Sequence, residues 1–408
     1  MNSSFITLNE HLGRFNDILN TISILIWDSR TKMPKEGAQT RGMQIGTQTL
    51  IARDLLLSSK LRKLLEESKN EIESKPEDSF EKKTLIQLEE AIKYHEKIPE
   101  NIQVRKAEVE PMAHNAWVEA RERKNFNIFK PFLEEQVNIA KEMAQCIGFK
   151  EHPYDALMHR FEPGETVTSL NKLFEELKEG LSQILKACKN SKQPKKDFLY
   201  NHYPINKQKE FATSIAKKFG YDFQRGRLDS TVHPFEISFT RNDVRITTRF
   251  YENFINPSLF GTLHEAGHGI YEQNIDPKFT RTAFATDFLS YYAVGGVSFG
   301  AHESQSRLYE NHIGRSKIFW KNHFDELVEL FPTSLKAVSH EDFYKAVNVI
   351  EPNFIRVESD ESTYDFHIML RVEIESMLID GSLKVKDLPE MWNHQMKKYL
   401  DLEVPDDS

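Results

Sequence analysis

The 408-residue chain has only two cysteines, Cys146 and Cys188. That is too few for the disulfide framework on which small secreted domains depend. It lacks a long apolar run. "ISILIW" (22–27) is the nearest to one, far short of the ~20 residues needed to cross a bilayer. The N-terminus carries neither a basic leader nor a small-residue cleavage site. Positive charge is not in excess, since the net charge is −8, so the footprint of a nucleic-acid binder is missing. No fixed-period repeat emerges, and no long Gly/Ser- or Pro-rich linker divides the chain. These absences predict a cytoplasmic protein with neither nucleic-acid nor membrane partner. They also predict one domain, 1–408, long enough to bury a large core.

What is present is mainly helical. "FEKKTLIQLEEAIKYHEKI" (80–98) and "VTSLNKLFEELKEGLSQILKAC" (167–188) space apolar residues by three and four between charges. Gly or Pro ends helices at "CIGF", "FEPGET", "KFGYD" and "LIDGSL". The stretch "NSKQPKKD" (190–197) reads as a loop. Residues 231–251 are β-branched and aromatic and turn at "TRND", which predicts a β-hairpin or small sheet. An exposed strand edge there can hold an extended peptide by main-chain hydrogen bonds.

That sheet leads into "LFGTLHEAGHGIYEQN" (259–274). On a helix, His264 and His268 lie one turn apart on one face and can both reach one Zn2+. Glu265 lies about 100° around the axis, so it is not an equivalent ligand. It can instead approach a water on the metal and move its proton. Gly267 and Gly269 each lower helix stability by about 1 kcal/mol relative to Ala, which points to close packing.

A catalytic zinc site needs a third protein ligand and an open position. "FGAHESQSRLYENHIG" (299–314) offers Glu303, 35 residues after His268. Glu310 is a rival two turns along the same face, and His302 is a further ligand or supporting group. Elsewhere, "VHPF" contains His233 and "DVRIT" contains Asp243 and Arg245. "IRVESDESTYDFHIMLR" contributes Arg356, Asp360, Tyr364 and His367. Arg356, between Ile355 and Val357 in an apolar context, offers a planar fork suited to a carboxylate.

With these residues assembled, the chain resembles the carboxypeptidase Taq family of zinc-dependent metallocarboxypeptidases. The resemblance runs from about residue 8 to the end and rests on motifs in the family's order. They are "WDSRTKMPKEGAQTR", "PYDALMHRFEPGET", "FGYDFQRGRLDSTVHPF", "DVRITTRF", "SLFGTLHEAGHGIYEQ", "HESQSRLYEN", "IRVESDESTYDFHIMLRVEIE" and "WNHQMKKYLDLEVPDD". The resemblance implies a mainly α fold with a deep central groove and a small sheet beside the metal-binding helix. It implies His264, His268 and Glu303 as zinc ligands, with Co2+ a possible substitute, and Glu265 as general base and acid. Arg356 would hold the substrate's terminal carboxylate. His233 and Asp243–Arg245 belong to motifs that would line or brace the substrate cleft, and Tyr364 and His367 are further substrate-binding candidates. Homodimers are common in the family, and the partners expected are peptides with a free C-terminus.

Two departures from the family pattern stand out. The interval from His268 to Glu303 is longer by about two helical turns, with the extra residues in "DPKFTRTAFATDFLSYYAVGG". This predicts a lid or an altered specificity loop. The family also continues past the "VPDD" position with a segment not found before Ser408. The function expected is therefore a broad-specificity metallocarboxypeptidase. The alternatives are an impaired homologue that binds metal or peptide, or a zinc amidase or dipeptidase acting on small acylated amino acids.

Overall fold

A computed structural model describes residues 3–291 and 298–406. The first layer is α1 (Ser4–Thr31), α2 (Ala38–Leu56), α3 (Ser59–Glu71) and α4 (Phe80–Lys97). Leu8, Leu12, Phe15 and Leu19 recur along one face of α1 and are buried against Leu61, Leu65 and Leu88 of α3 and α4. Helices α5 (Glu100–Glu122) and α6 (Phe126–Ile147) pack along one another. The short α7 (Pro153–Met158) then leads to α8 (Val167–Lys189). Phe174, Leu181 and Leu185 of α8 pack into a separate core.

Helix α9 (Ile205–Lys218) precedes the three strands β1 (Gly226–Ser230), β2 (Glu236–Thr240) and β3 (Asp243–Thr248). The strand order is β1-β3-β2, with β1 parallel and β2 antiparallel to β3. Residues alternate across β3. Val244 and Ile246 pack against Ala266 and Ile270 of helix α10 (Asn256–Gln273). Arg245, between them, faces Trp27 of α1. On β2, Ile237 and Phe239 join Trp27 in a small core of their own. The sheet is thus held between α1 and α10.

Helix α11 (Phe299–Arg307) returns along α10 and continues as a π-helical turn, Leu308–Ile313. Helices α12 (Lys317–Leu330), α13 (Pro332–Leu335) and α14 (His340–Val347) complete a core with α9 and α10 around Trp320, Phe324 and Phe343. Helices α15 (Glu361–Asp380) and α16 (Leu388–Leu400) close the chain on the α8 side.

The predicted helices at 80–98 and 167–188 are α4 and α8. Each predicted stop holds a left-handed glycine: Gly148, Gly164, Gly220 and Gly381 have φ of 86, 95, 105 and 88°. The predicted hairpin is β2 and β3. Strand β1, "GRLDS", was not foreseen. It is polar and pairs across 18 residues with β3 (Gly226 with Val244), so no local pattern announces it. The longer interval after His268 behaves differently from a free lid as far as Tyr291. Phe288 stacks on Phe15 at 5.5 Å, Asn16 donates to the Ala285 carbonyl at 2.9 Å, and Arg281 pairs with Asp17 at 2.6 Å. That part is a plug in the first-layer core. The rest of the expected lid, 292–297, lies outside the described residues.

Candidate active site

Helix α10 carries His264, Glu265 and His268. It runs between the sheet and α11 because its two inner glycines admit both neighbours. A Cβ on Gly269 would stand 2.7 Å from the Tyr221 ring, and one on Gly267 would stand 2.6 Å from the Ser306 Cα. The close packing expected of these glycines is therefore present on both sides of the helix.

This approach brings Glu303 of α11 over the histidine pair. Its Oε2 lies 3.1 Å from His268 Nε2 and 3.5 Å from His264 Nε2. The three donor atoms fall within 4.8 Å of one another. Two ligands at ~2.05 Å from a tetrahedral ion stand about 3.3 Å apart, so both distances fit one small divalent metal. The outer ring nitrogens are turned away and engaged. His264 Nδ1 meets Glu310 Oε2 at 2.9 Å, and His268 Nδ1 meets His302 Nδ1 at 2.6 Å. The two rivals of Glu303 are thus both behind the candidate ligand histidines, Glu310 behind one and His302 behind the other.

The charges respond to this arrangement in the metal-free state. Burial opposes a charged His264 ring, but Glu303 and Glu310 together raise its pKa to about 10. Burial pushes His268 down to about 4, with Glu303 opposing the shift. Burial would also raise Glu303, yet the two imidazoles hold it far below the usual carboxylate range. Burial pushes Glu265 up to about 7. Its carboxyl, 5 % exposed, therefore holds a proton more tightly than a solvated glutamate.

Arg307 and Arg315 were not singled out in the sequence. Arg307 touches Glu303 Oε1 at 3.3 Å and Glu310 Oε2 at 3.1 Å, and its guanidinium lies 3.7 Å from the Tyr364 ring centre. Arg315 reaches Glu310 Oε1 at 3.6 Å. The signal was available, since Glu303, Arg307 and Glu310 follow an i, i+4, i+7 pattern on α11 and its extension.

The remaining candidates separate. Arg356 lies in a short 3-10 turn, Arg356–Glu358, and donates to the Tyr364 hydroxyl. Tyr364 thereby links Arg356 through Arg307 to Glu303. The apolar context expected for Arg356 is not a buried one, because Ile355 and Val357 are exposed. Asp360 caps α15. His233 is exposed as a residue; partial desolvation of its ring and then the charge of Arg356, the strongest of several cations acting on it, lower its pKa. Arg245 is already engaged. It forms two bonds to Asp243, at 2.9 and 2.8 Å, and stacks between Trp27 and Phe239. His367 is 1 % exposed, and burial lowers its pKa to about 4.

The family model for the carboxypeptidase Taq (M32) metallopeptidases matches residues 7–408. The chain belongs to that family of metallocarboxypeptidases. The M32 chain is 38 % identical over 390 residues to carboxypeptidase 1 of Bacillus subtilis, covering 95 % of itself and 76 % of that protein. It superposes on the BsuCP crystal structure with TM-score 0.93 at 37 % identity, over 100 % of this chain and 80 % of that one. The Pyrococcus furiosus carboxypeptidase structure gives 0.89 at 33 % identity, over 100 % and 80 %. M32 membership implies a divalent metal, and the donor set of His264, His268 and Glu303 suits one. No helix of this M32 chain is long and apolar enough to cross a membrane among the described residues.

Proposed function

We propose that His264, His268 and Glu303 of this metallocarboxypeptidase hold Zn2+, with Co2+ able to replace it in the same donor set. Glu265 is then the general base and acid, and the enzyme removes single residues of many kinds from peptide C-termini. The observation that carries this reading is the convergence of three donors at metal-compatible distances beside a buried carboxyl on the same helix.

A Zn2+ held there supplies Lewis-acid polarisation of the scissile carbonyl and lowers the pKa of a water toward about 7. Glu265 accepts a proton from the attacking water and returns it to the departing amine nitrogen. Burial suits the carboxyl to both roles by raising its proton affinity. Arg356 orients the peptide's terminal carboxylate with its planar fork, and Tyr364 fixes that fork through its hydroxyl. His233, exposed and close to Arg356, contributes a polar wall to the same pocket. Arg245 braces the sheet, and His367 supports the 353–360 turn from behind.

Both cysteines are free, which fits a cytoplasmic, reducing setting. The homodimer expected from the resemblance belongs to the same proposal, and light scattering on the purified chain tests it.

The deciding experiment is a time course on a mixed peptide pool read by mass spectrometry, with chelator and with Zn2+ or Co2+ restored. A metal-dependent ladder shortened only from the C-terminus is expected. Glu265→Gln should keep its metal while turnover falls by at least about 10³-fold. Unchanged turnover in that variant would overturn the assignment.

A further inference from the structure

The two candidate ligand histidines are supported in different ways. His264 leans on a carboxylate, Glu310. His268 leans on another imidazole. The rings of His268 and His302 lie 4.7 Å apart and 29° from parallel, with the two Nδ1 atoms 2.6 Å apart. On its far side His302 Nε2 meets Glu272 Oε1 at 2.8 Å. Glu272, two helical residues beyond Ile270, is 4 % exposed. Burial pushes the neighbouring Glu236 of β2 up to about 8, and Glu272 adds to that shift. Glu236 in turn bonds the Ser238 hydroxyl.

Two Nδ1 atoms in contact share one proton, and its direction follows from the ends of the chain. A metal on His268 Nε2 leaves that neutral ring with its proton on Nδ1. His302 Nδ1 must then accept it, which puts the His302 proton on Nε2. A carboxylate can only accept, so Glu272 receives the Nε2–H. The hydrogen bonds run one way, from His268 through His302 to Glu272, and no other tautomer of His302 satisfies both contacts.

We propose that His302, with Glu272 behind it, is a positioning residue that fixes the tautomer and ring plane of His268 and thereby sets how tightly the chain holds its metal. This rests on the ligand assignment above. His302 itself is not a ligand. Its Nδ1 is turned to His268 and its Nε2 to Glu272, away from the Glu303 carboxylate.

The test measures Zn2+ affinity by competition with a chromophoric chelator, and the Co2+ visible spectrum, on the wild-type chain and on His302→Phe, His302→Asn and Glu303→Gln. Phe keeps the volume of the ring and removes the acceptor. Asn loses volume but places a carbonyl oxygen near the position of Nδ1. Positioning predicts a 10–100-fold loss of affinity in His302→Phe with an altered Co2+ spectrum. It predicts partial recovery in His302→Asn. A packing role predicts the reverse order and would overturn the proposal, as would wild-type affinity in both variants. Should His302→Phe fail to fold, Glu272→Ala removes the terminal acceptor, and its unchanged affinity would be equally fatal. If Glu303→Gln binds Zn2+ as tightly as wild type, the metal lies elsewhere, and the ligand assignment falls together with this inference.

Discussion

Gly267 of α10 lies directly against Ser306 of α11, so closely that a side-chain carbon at 267 would sit 2.6 Å from the Ser306 Cα and 2.9 Å from the Gln305 carbonyl oxygen. Neither atom belongs to a flexible side chain, so a larger residue must push the helices apart. Glu303, one turn before Ser306, moves with α11. Gly267→Ala should therefore destabilise the fold by about 1–3 kcal/mol, despite the better helix propensity of Ala, and should weaken metal binding. Thermal melts and chelator competition check this. A variant with unchanged melting temperature and affinity would show that the contact is not limiting.

Glu310 is 12 % exposed and is shared by His264, Arg307 and Arg315. Glu310→Gln removes the one charge that both guanidiniums face together. Arg307 keeps Glu303, but the buried Arg315 loses the carboxylate it is paired with, at about 3–5 kcal/mol. His264 also loses its charged support, for which a 10–100-fold drop in metal affinity is expected. Urea denaturation of the metal-free protein separates the two effects.

His95 lies far from the site, with Nε2 2.8 Å from the Phe288 carbonyl and Nδ1 3.1 Å from the Tyr291 hydroxyl. Burial lowers its pKa to about 4. The folded value lies below the unfolded one, so the unfolded chain binds the proton more readily. Stability from this group is complete above about pH 6.5 and is lost as pH falls toward 4, by about 3 kcal/mol. In His95→Gln that increment should vanish. Parallel stability-against-pH curves for the two proteins would refute the assignment. Since His95 holds the 283–291 plug, the same acid step should loosen this segment first, as measured by hydrogen exchange.

Arg356→Ala should lower kcat/KM on peptides with a free C-terminus by about 10²–10³-fold, in line with the loss of a bidentate charged contact. C-terminally amidated peptides, poor substrates from the start, should change little. If both substrate classes fell equally, Arg356 would be holding the turn at 353–360 rather than the carboxylate.

Much of the helical frame is local and therefore legible. Apolar spacing marked α4 and α8, and the four positive-φ glycines marked where helices stop, because only glycine takes that conformation without strain. Strand β1 was not legible, since Gly226–Ser230 becomes a strand only through its register with β3. The packing of 276–291 on the first layer was not legible for a similar reason. Its aromatic residues could serve a lid or a core, and only the facing residues Phe15, Phe80 and His95 decide which.

At the candidate site the division is sharper. The sequence alone determined that His264 and His268 share a helix face and that Glu265 stands beside it, because a 3.6-residue period converts spacing into direction. It also contained the two acids and the arginine of "HESQSRLYEN". The tertiary structure decided which partner faces which nitrogen: Glu303 toward the two Nε2 atoms, Glu310 and His302 behind the rings. That assignment depends on how closely α11 packs on α10 and where the π-helical turn rotates Glu310. Both follow from contacts between residues more than 30 positions apart, and no local pattern encodes them.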